Sequence, residues 1–285
     1  MRLTPATLTL ALLASGAALA AAGTEAIWVA SGPDGGTYAE FYARNLAAQM
    51  SDYRILPRRS TGSQENLRLL AAGEVQLAFA QADSYASWLD ENPERQDDLL
   101  IVGRLADECV YVAVRTEGPV RTLSQLEAPV EGRAPRIAVG PAAGGMSGTW
   151  RYLVGLQPGL GGAEVLHDGD TLALNQLAVG RFDAVAWVTD PMNLDHKLLR
   201  TVHANDALGL MDLDSAALES ALPDGTRIHE RRTVETESGR RPKSIQTVCT
   251  SALLLARSDI DKELLRKLAD LVGLHLDRLL PPRKR

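Results

Sequence analysis

Four short stretches combine glycine with side-chain donors and acceptors in a pattern suited to holding a small polar molecule. They are Gly35-Gly36-Thr37-Tyr38, Ser60-Thr61-Gly62-Ser63, Gln81-Ala82-Asp83-Ser84 and the longer run from Gly140-Pro141 through Gly144-Gly145-Met146 to Ser147-Gly148-Thr149. Glycine lets backbone approach a guest closely and adopt φ > 0. A helix N-terminus presents unpaired N–H groups and roughly half a positive charge, so a glycine-and-hydroxyl loop that opens a helix suits a carboxylate or another small anion. The chemistry expected of such loops is binding. The five histidines, His167, His196, His203, His229 and His275, follow no metal-ligand spacing, and no nucleophile elbow or His-Glu-x-x-His segment is present. Asp195-His196 reads as a surface pair, and the Gly140 loop lacks the lysine of a phosphate-binding P-loop. No catalytic residue, metal site or cofactor is therefore expected. An enzyme on the same fold is the rival reading, distinguished by turnover in place of stoichiometric binding.

Each loop follows a short apolar run. Residues 26–30, with Ile-Trp-Val in the middle, read as a buried strand, and residues 37–50 carry Tyr38, Phe41, Tyr42, Leu46 and Met50 at helical spacing. A strand at 54–56 leads into the Ser60 loop and a helix over 64–72; a third strand at 75–80 leads into the Gln81 loop. Strands follow at 99–103 and 109–114. After a polar, Pro-containing stretch the plan repeats: a strand from Arg136 to Val139, the Gly140 loop, a helix from Trp150, a strand near 164–166, a helix over 172–179 and a strand at 184–188. The pattern predicts two α/β units. In open sheets of this kind, ligands collect at the carboxyl ends of strands, where these loops lie. Residues 223–243 read as a charged surface hairpin or loop whose Arg231, Arg232, Arg240 and Arg241 form a solvated face. Residues 247–256 read as a strand, and residues 259–280 as an amphipathic helix with Asp259-x-Asp261 near its start.

The chain has 285 residues, 45% hydrophobic and 23% charged, with a formal net charge of −6. These values fit a globular protein and give no basis for nucleic-acid binding. Residues 1–22 read as a cleaved secretory signal peptide: Arg2 precedes an apolar stretch, and Ala18-Leu19-Ala20 and Ala20-Ala21-Ala22 offer small-x-small cleavage sites. Export to the periplasm is thus expected, and no later window is apolar enough to span a bilayer. The basic tail Pro281-Pro282-Arg283-Lys284-Arg285 reads as a solvated end.

In order and spacing, these motifs resemble the solute receptors of TAXI-type TRAP transporters. The resemblance rests on Gly35-Gly36-Thr37-Tyr38; Ser60-Thr61-Gly62-Ser63-x-x-Asn66-Leu67-x-x-Leu70-x-x-Gly73-Glu74; and Phe79-Ala80-Gln81-Ala82-Asp83. It continues through Thr122-Leu123-Ser124-Gln125-Leu126, Ile137-Ala138-Val139-Gly140-Pro141, Ser147-Gly148-Thr149, Gly180-Arg181-Phe182-Asp183-Ala184 and Thr189-x-Pro191. It implies an α/β, bilobal type 2 periplasmic binding fold joined by a two-strand hinge. One lobe would comprise residues 23–115 plus 247–285, the other residues 116–246. It also implies a monomeric, non-enzymatic receptor that delivers glutamate, 2-oxoglutarate or a related carboxylate to a TRAP membrane permease. A sensor or an ABC-type uptake system is the alternative destination. Two extra residues between Gly140-Pro141 and Ser147-Gly148-Thr149 depart from the pattern.

On this reading Gly36, Thr37, Tyr38, Thr61, Gly62, Ser63 and Asn66 hold the ligand from the first lobe. Ser147, Gly148 and Thr149 clamp it from the second, with Thr189 at the far rim. Gln81 and Asp83 end the third strand, where Asp83 either accepts from a ligand ammonium or caps the following helix. Ser63 and Thr149 stand equally well as helix caps, Asn66 as a brace of its own loop and Tyr38 as core. Arg58 and Arg59 read as surface residues, and Asp183 as structural. In this fold the strands of Cys109 and Cys249 can be antiparallel neighbours, which allows a disulfide between the only two cysteines.

Overall fold

A computed structural model describes residues 26–221, 225–237 and 243–282. The signal segment at 1–22, Arg240, Arg241 and the last three residues of the basic tail lie outside these.

The first apolar runs become strands of one parallel unit. β1 (Ile27–Ala30) lies between β2 (Ile55–Arg58) and β3 (Leu77–Gln81), parallel to both. All five residues of β3 are buried, as expected of a parallel strand covered by helices on either side. Tyr38–Tyr42 forms a π-type turn that runs into α1 (Ala43–Gln49); α2 (Ser63–Ala71) follows β2, and α3 (Ala82–Glu91) follows β3. One core packs α1 against Leu77, Phe79 and Leu254; another packs Leu67 and Leu70 of α2 on Ala78 and Leu255 from the opposite face.

β4 (Leu99–Arg115) is one continuous strand where the sequence suggested two. The charged residues between them, Arg104 to Glu108, looked like a break. They stay in the ladder because the apolar strand β11 offers a partner from Leu99 to Cys109, with register shifts absorbing the irregularity.

The second half repeats the plan. After α4 (Leu123–Leu126) come β5 (Arg136–Ala138), α5 (Gly145–Leu156), β6 (Glu164–Leu166), α6 (Asp170–Ala178) and β7 (Ala184–Thr189). The chain continues through α7 (Lys197–His203), β8 (Leu208–Leu210), β9 (Ser220–Ala221), β10 (Arg227–Glu237), β11 (Lys243–Arg257) and α8 (Lys262–Leu274). β5 is parallel to β6 and β7. β10 pairs antiparallel with β11, so the segment expected as a surface hairpin or loop supplies one strand, with Ile228, His229, Val234 and Thr236 buried. α8 begins later than expected, at Lys262, and is capped by Asp261, whose carboxylate accepts from the Leu264 N–H at 2.8 Å.

The main strand order is β2-β1-β3-β11-β4-β7-β5-β6. Two α/β lobes thus share one curled sheet, and the long antiparallel pair β4–β11 joins them. Residues Leu99 to Cys109 of β4 face β11, while Cys109 to Val114 pair with β7. Cys109 lies opposite both Cys249 and Thr189, and a disulfide joins it to Cys249. Among the described residues no helix is long and apolar enough to cross a membrane.

Candidate functional site

The carboxyl ends of β1 and β3 in one lobe and of β5 and β7 in the other converge on the middle of β4. There the helix N-termini of the two lobes meet backbone to backbone. Gly62, the N-cap of α2, has φ +138°, and a Cβ on it would lie 2.9 Å from the Gly145 N and 3.1 Å from the Gly144 Cα. Only glycine fits both that conformation and that contact. Neither Gly62 nor Gly144, the N-cap of α5, supplies a side-chain cap to the first-turn amides. The helix expected from Trp150 in fact starts at Gly145, so Ser147, Gly148 and Thr149 form its first turns instead of a loop. A Cβ on Gly148 would come within 2.6 Å of Gln64 Nε2 and 2.8 Å of Ser84 Oγ, so small residues let α5 dock on α2 and α3.

Behind this seam runs a buried polar chain. Ser63 Oγ donates to Gln81 Oε1 and accepts from the Gln81 N–H, each at 3.2 Å. Tyr38 Oη donates to Glu108 Oε2 at 3.1 Å. The Tyr38 ring stacks on Tyr42 at 5.6 Å between centroids, and both pack on Phe79. Glu108 is 7% exposed and stands directly across the strand pair from Thr250. Burial pushes its carboxyl up to about 8; the Tyr38 hydrogen bond opposes this, and the charges of Asp83 and Asp190 add to it. Burial first, then Glu108, lifts the Tyr38 phenol well above its ordinary value. Tyr42 is raised in the same way, by burial and then by Glu108 and Asp190. The Tyr42 hydroxyl, Thr250 Oγ1 and Gln81 Nε2 are buried without a hydrogen-bond partner.

A second cluster ties the lobes together. Asp83 is fully buried: one oxygen accepts from the Ser84 N–H at 2.6 Å, and the other accepts from Thr149 Oγ1 at 2.7 Å and lies 2.9 Å from His229 Nε2. Asp83 comes from α3, Thr149 from α5 and His229 from β10.

The remaining expected residues divide between seam and scaffold. Gly36 closes the turn after β1 and accepts from Ala39 and Glu40, while Thr37 precedes the π-type turn without capping it. Thr61 is exposed, and its N–H and hydroxyl both donate to Glu65 of the following helix at 2.8 Å, so a carboxylate already sits on that loop. Asn66 accepts from the Ser60 hydroxyl and donates to the Phe79 carbonyl at 2.7 Å, bracing the loop against β3. Thr189 is buried at the end of β7. Arg58 pairs with Glu74, Arg59 with Asp34 and Glu40, and Asp183 takes a two-pronged contact from Arg133 at 2.6 and 2.9 Å. The fold therefore assembles Tyr38, Ser63 and Gln81 with Glu108, and Asp83 with Thr149, at the Gly62–Gly145 seam. Glu108, Tyr42, Thr250 and His229 escaped the sequence reading. The available signal was a lone glutamate directly before the apolar run of residues 109–114. Among the described residues no group of His, Cys, Asp or Glu is placed to hold a metal ion. An open hollow of about 480 Å³ bordered by Val202, His203 and Thr236 contains none of these site residues.

A family model described as the NMT1-like family matches residues 29–279 and so spans both lobes. The chain belongs to the NMT1-like family. No curated protein matches it. Among solved structures, this NMT1-like chain is similar to XAC2383 of Xanthomonas citri in a structure bound to ATP. The identity is 13% and the TM-score 0.55, over 89% of this chain and 88% of the other. A Listeria monocytogenes protein described as an L-cystine ABC transporter aligns at 14% identity and TM-score 0.52, over 88% of this chain and 89% of the other. At such identities the likeness concerns architecture. The NMT1-like chain has the bilobal type 2 periplasmic binding fold, with β4 and β11 as its two hinge strands.

Proposed function

We propose that this chain is a periplasmic solute receptor, not an enzyme, that closes as a monomer on a small carboxylate-bearing solute. In this reading it hands the solute to a TRAP-type membrane permease as TAXI receptors do. The observation that carries the reading is the meeting of two uncapped helix N-termini, α2 at Gly62 and α5 at Gly144-Gly145, from opposite lobes. Each end offers free amides and the positive pole of a helix dipole, so a carboxylate entering the seam would be held from both sides. Lobe boundaries at residues 115/116 and 246/247 leave the seam between the two bodies. The disulfide fits an oxidising compartment, the destination of a chain with the signal peptide expected at 1–22. The likeness to a protein described as an ABC transporter favours an ABC-type uptake system as the second reading.

Thermal-shift screening of the mature chain against amino acids, dicarboxylates and oxo-acids tests the proposal. A solute at a hundredfold excess over its Kd stabilises the folded form by about 2.7 kcal/mol, which is readily seen. Saturable, equimolar binding without turnover is expected. Product formation, or no shift with any carboxylate, would defeat it. A fused multi-span permease encoded beside the receptor distinguishes a TRAP partner from an ABC system.

A further inference from the structure

The inside of the site is lined with acidic side chains, where the seam presents the positive ends of helices. Asp83 and Glu108 are both buried there, and Asp190, which follows β7, lies within electrostatic reach of Glu108. Among the described residues no lysine or arginine is buried, and the buried imidazole, His229, is already engaged with Asp83. A ligand carrying only negative charge would find no side-chain cation here.

Two further groups surround Glu108. Thr250 sits opposite it in the β4–β11 register, and directly paired residues on antiparallel strands project to the same face. Thr250 Oγ1 is buried and has no partner. The Tyr42 hydroxyl, on a side chain with no exposed surface, is also unpartnered, and it lies close enough to Glu108 and Asp190 to feel both charges. Buried hydroxyls are seldom left unpaired, because each lost hydrogen bond costs free energy. A protonated amine supplies what the three groups lack: a positive charge for the carboxylate and N–H donors for both hydroxyl oxygens.

We infer that Glu108 is the specificity-determining residue of this site, taking a protonated amine of the solute with Tyr42 and Thr250 completing its shell. The inference rests on the receptor reading above and narrows it: the solute is an amine, preferred over the oxo-acid or simple carboxylate of the same skeleton. The proton balance is explicit. With its ordinary value pushed up to about 8, Glu108 carries a proton at neutral pH in the empty site. When R–NH3+ enters, Glu108 becomes the carboxylate partner of the ammonium, and its proton leaves to solvent. The titratable groups facing Glu108 are Tyr38 and Tyr42 from the first helical segment, Asp83 from α3 and Asp190 after β7. His229 of β10 acts through Asp83.

The test uses pairs of solutes that differ only at one carbon: glutamate with 2-oxoglutarate and glutarate, alanine with pyruvate, aspartate with oxaloacetate, leucine with its oxo-acid. In any pair that binds, the amine is expected to bind about tenfold or more tightly, the range for a hydrogen bond to a charged partner. Glu108→Gln should bring that ratio to about one. Calorimetry of the unaltered chain at pH 7, in buffers of differing ionisation heat, should show up to about one proton released per amine bound. Oxo-acids binding as well as their amines would overturn the inference and leave the receptor reading intact, as would amine binding without proton release. Failure of every pair to bind would remove the receptor reading and this inference together.

Discussion

Glu108 is buried with little water to solvate its charge, so the folded chain holds a proton there that the unfolded chain has already given up. Its carboxyl is raised to about 8 from an unfolded value near 4.5. Between those two values the native state binds more protons than the unfolded one, and stability must fall as pH rises. The contribution is fully present below pH 4.5 and lost as pH passes about 8. Thermal unfolding of the ligand-free chain between pH 5 and 9 should show a declining Tm with a slope that Glu108→Gln removes. At pH 9 the variant should be the more stable protein. A parent curve that rises or stays flat over this range would mean Glu108 is not buried as described.

At the scale of elements, the docking of α5 on α2 and α3 decides how the lobes meet. It depends on small residues at Gly145 and Gly148 and is fastened by Thr149, which donates to Asp83 at 2.7 Å. Replacing Thr149 with valine keeps the shape and removes the donor, leaving a buried carboxylate short of a partner. A loss of roughly 1–3 kcal/mol in urea unfolding is expected; an unchanged midpoint would show that the tie contributes nothing. This helix also shows why part of the site was illegible in the sequence. Gly-Met-Ser-Gly-Thr has poor intrinsic helix propensity, so the segment read as loop up to Trp150. Tertiary contact with Gln64 and Ser84 overrides that preference, and no local pattern reports it. Glu108 was missed for a related reason: in one dimension it ends a charged interruption, whereas the β11 ladder carries it into the interior. The repeated strand–loop–helix units were legible because apolar runs, glycine turns and helical spacing are local signals. The same signals mark Ser63 and Gln81 as lying where a strand end meets a helix start; their mutual hydrogen bonds are reported by no local pattern.

For the whole molecule, the disulfide is the covalent tie between distant parts of the chain. Cys109 and Cys249 are separated by 140 residues in sequence, and the bond links the two strands that pass between the lobes. Closing so long a loop restricts the unfolded chain, and reduction should cost about 2–4 kcal/mol. Comparing urea midpoints with and without reductant, alongside a Cys109→Ser/Cys249→Ser double variant, checks this. Equal midpoints in all three would show that the bond does not constrain the unfolded chain.

The uninterrupted course of β4 has a mechanical consequence. A ribbon that keeps its hydrogen-bond ladder from one body into the next cannot swivel like a loose joint; it flexes like a leaf spring, returning elastically when released. Its bond to the neighbouring strand at Cys109 lies one residue from Glu108. The group assigned to the guest's amine thus lies beside the covalent tie between the two strands, where they have least freedom to part.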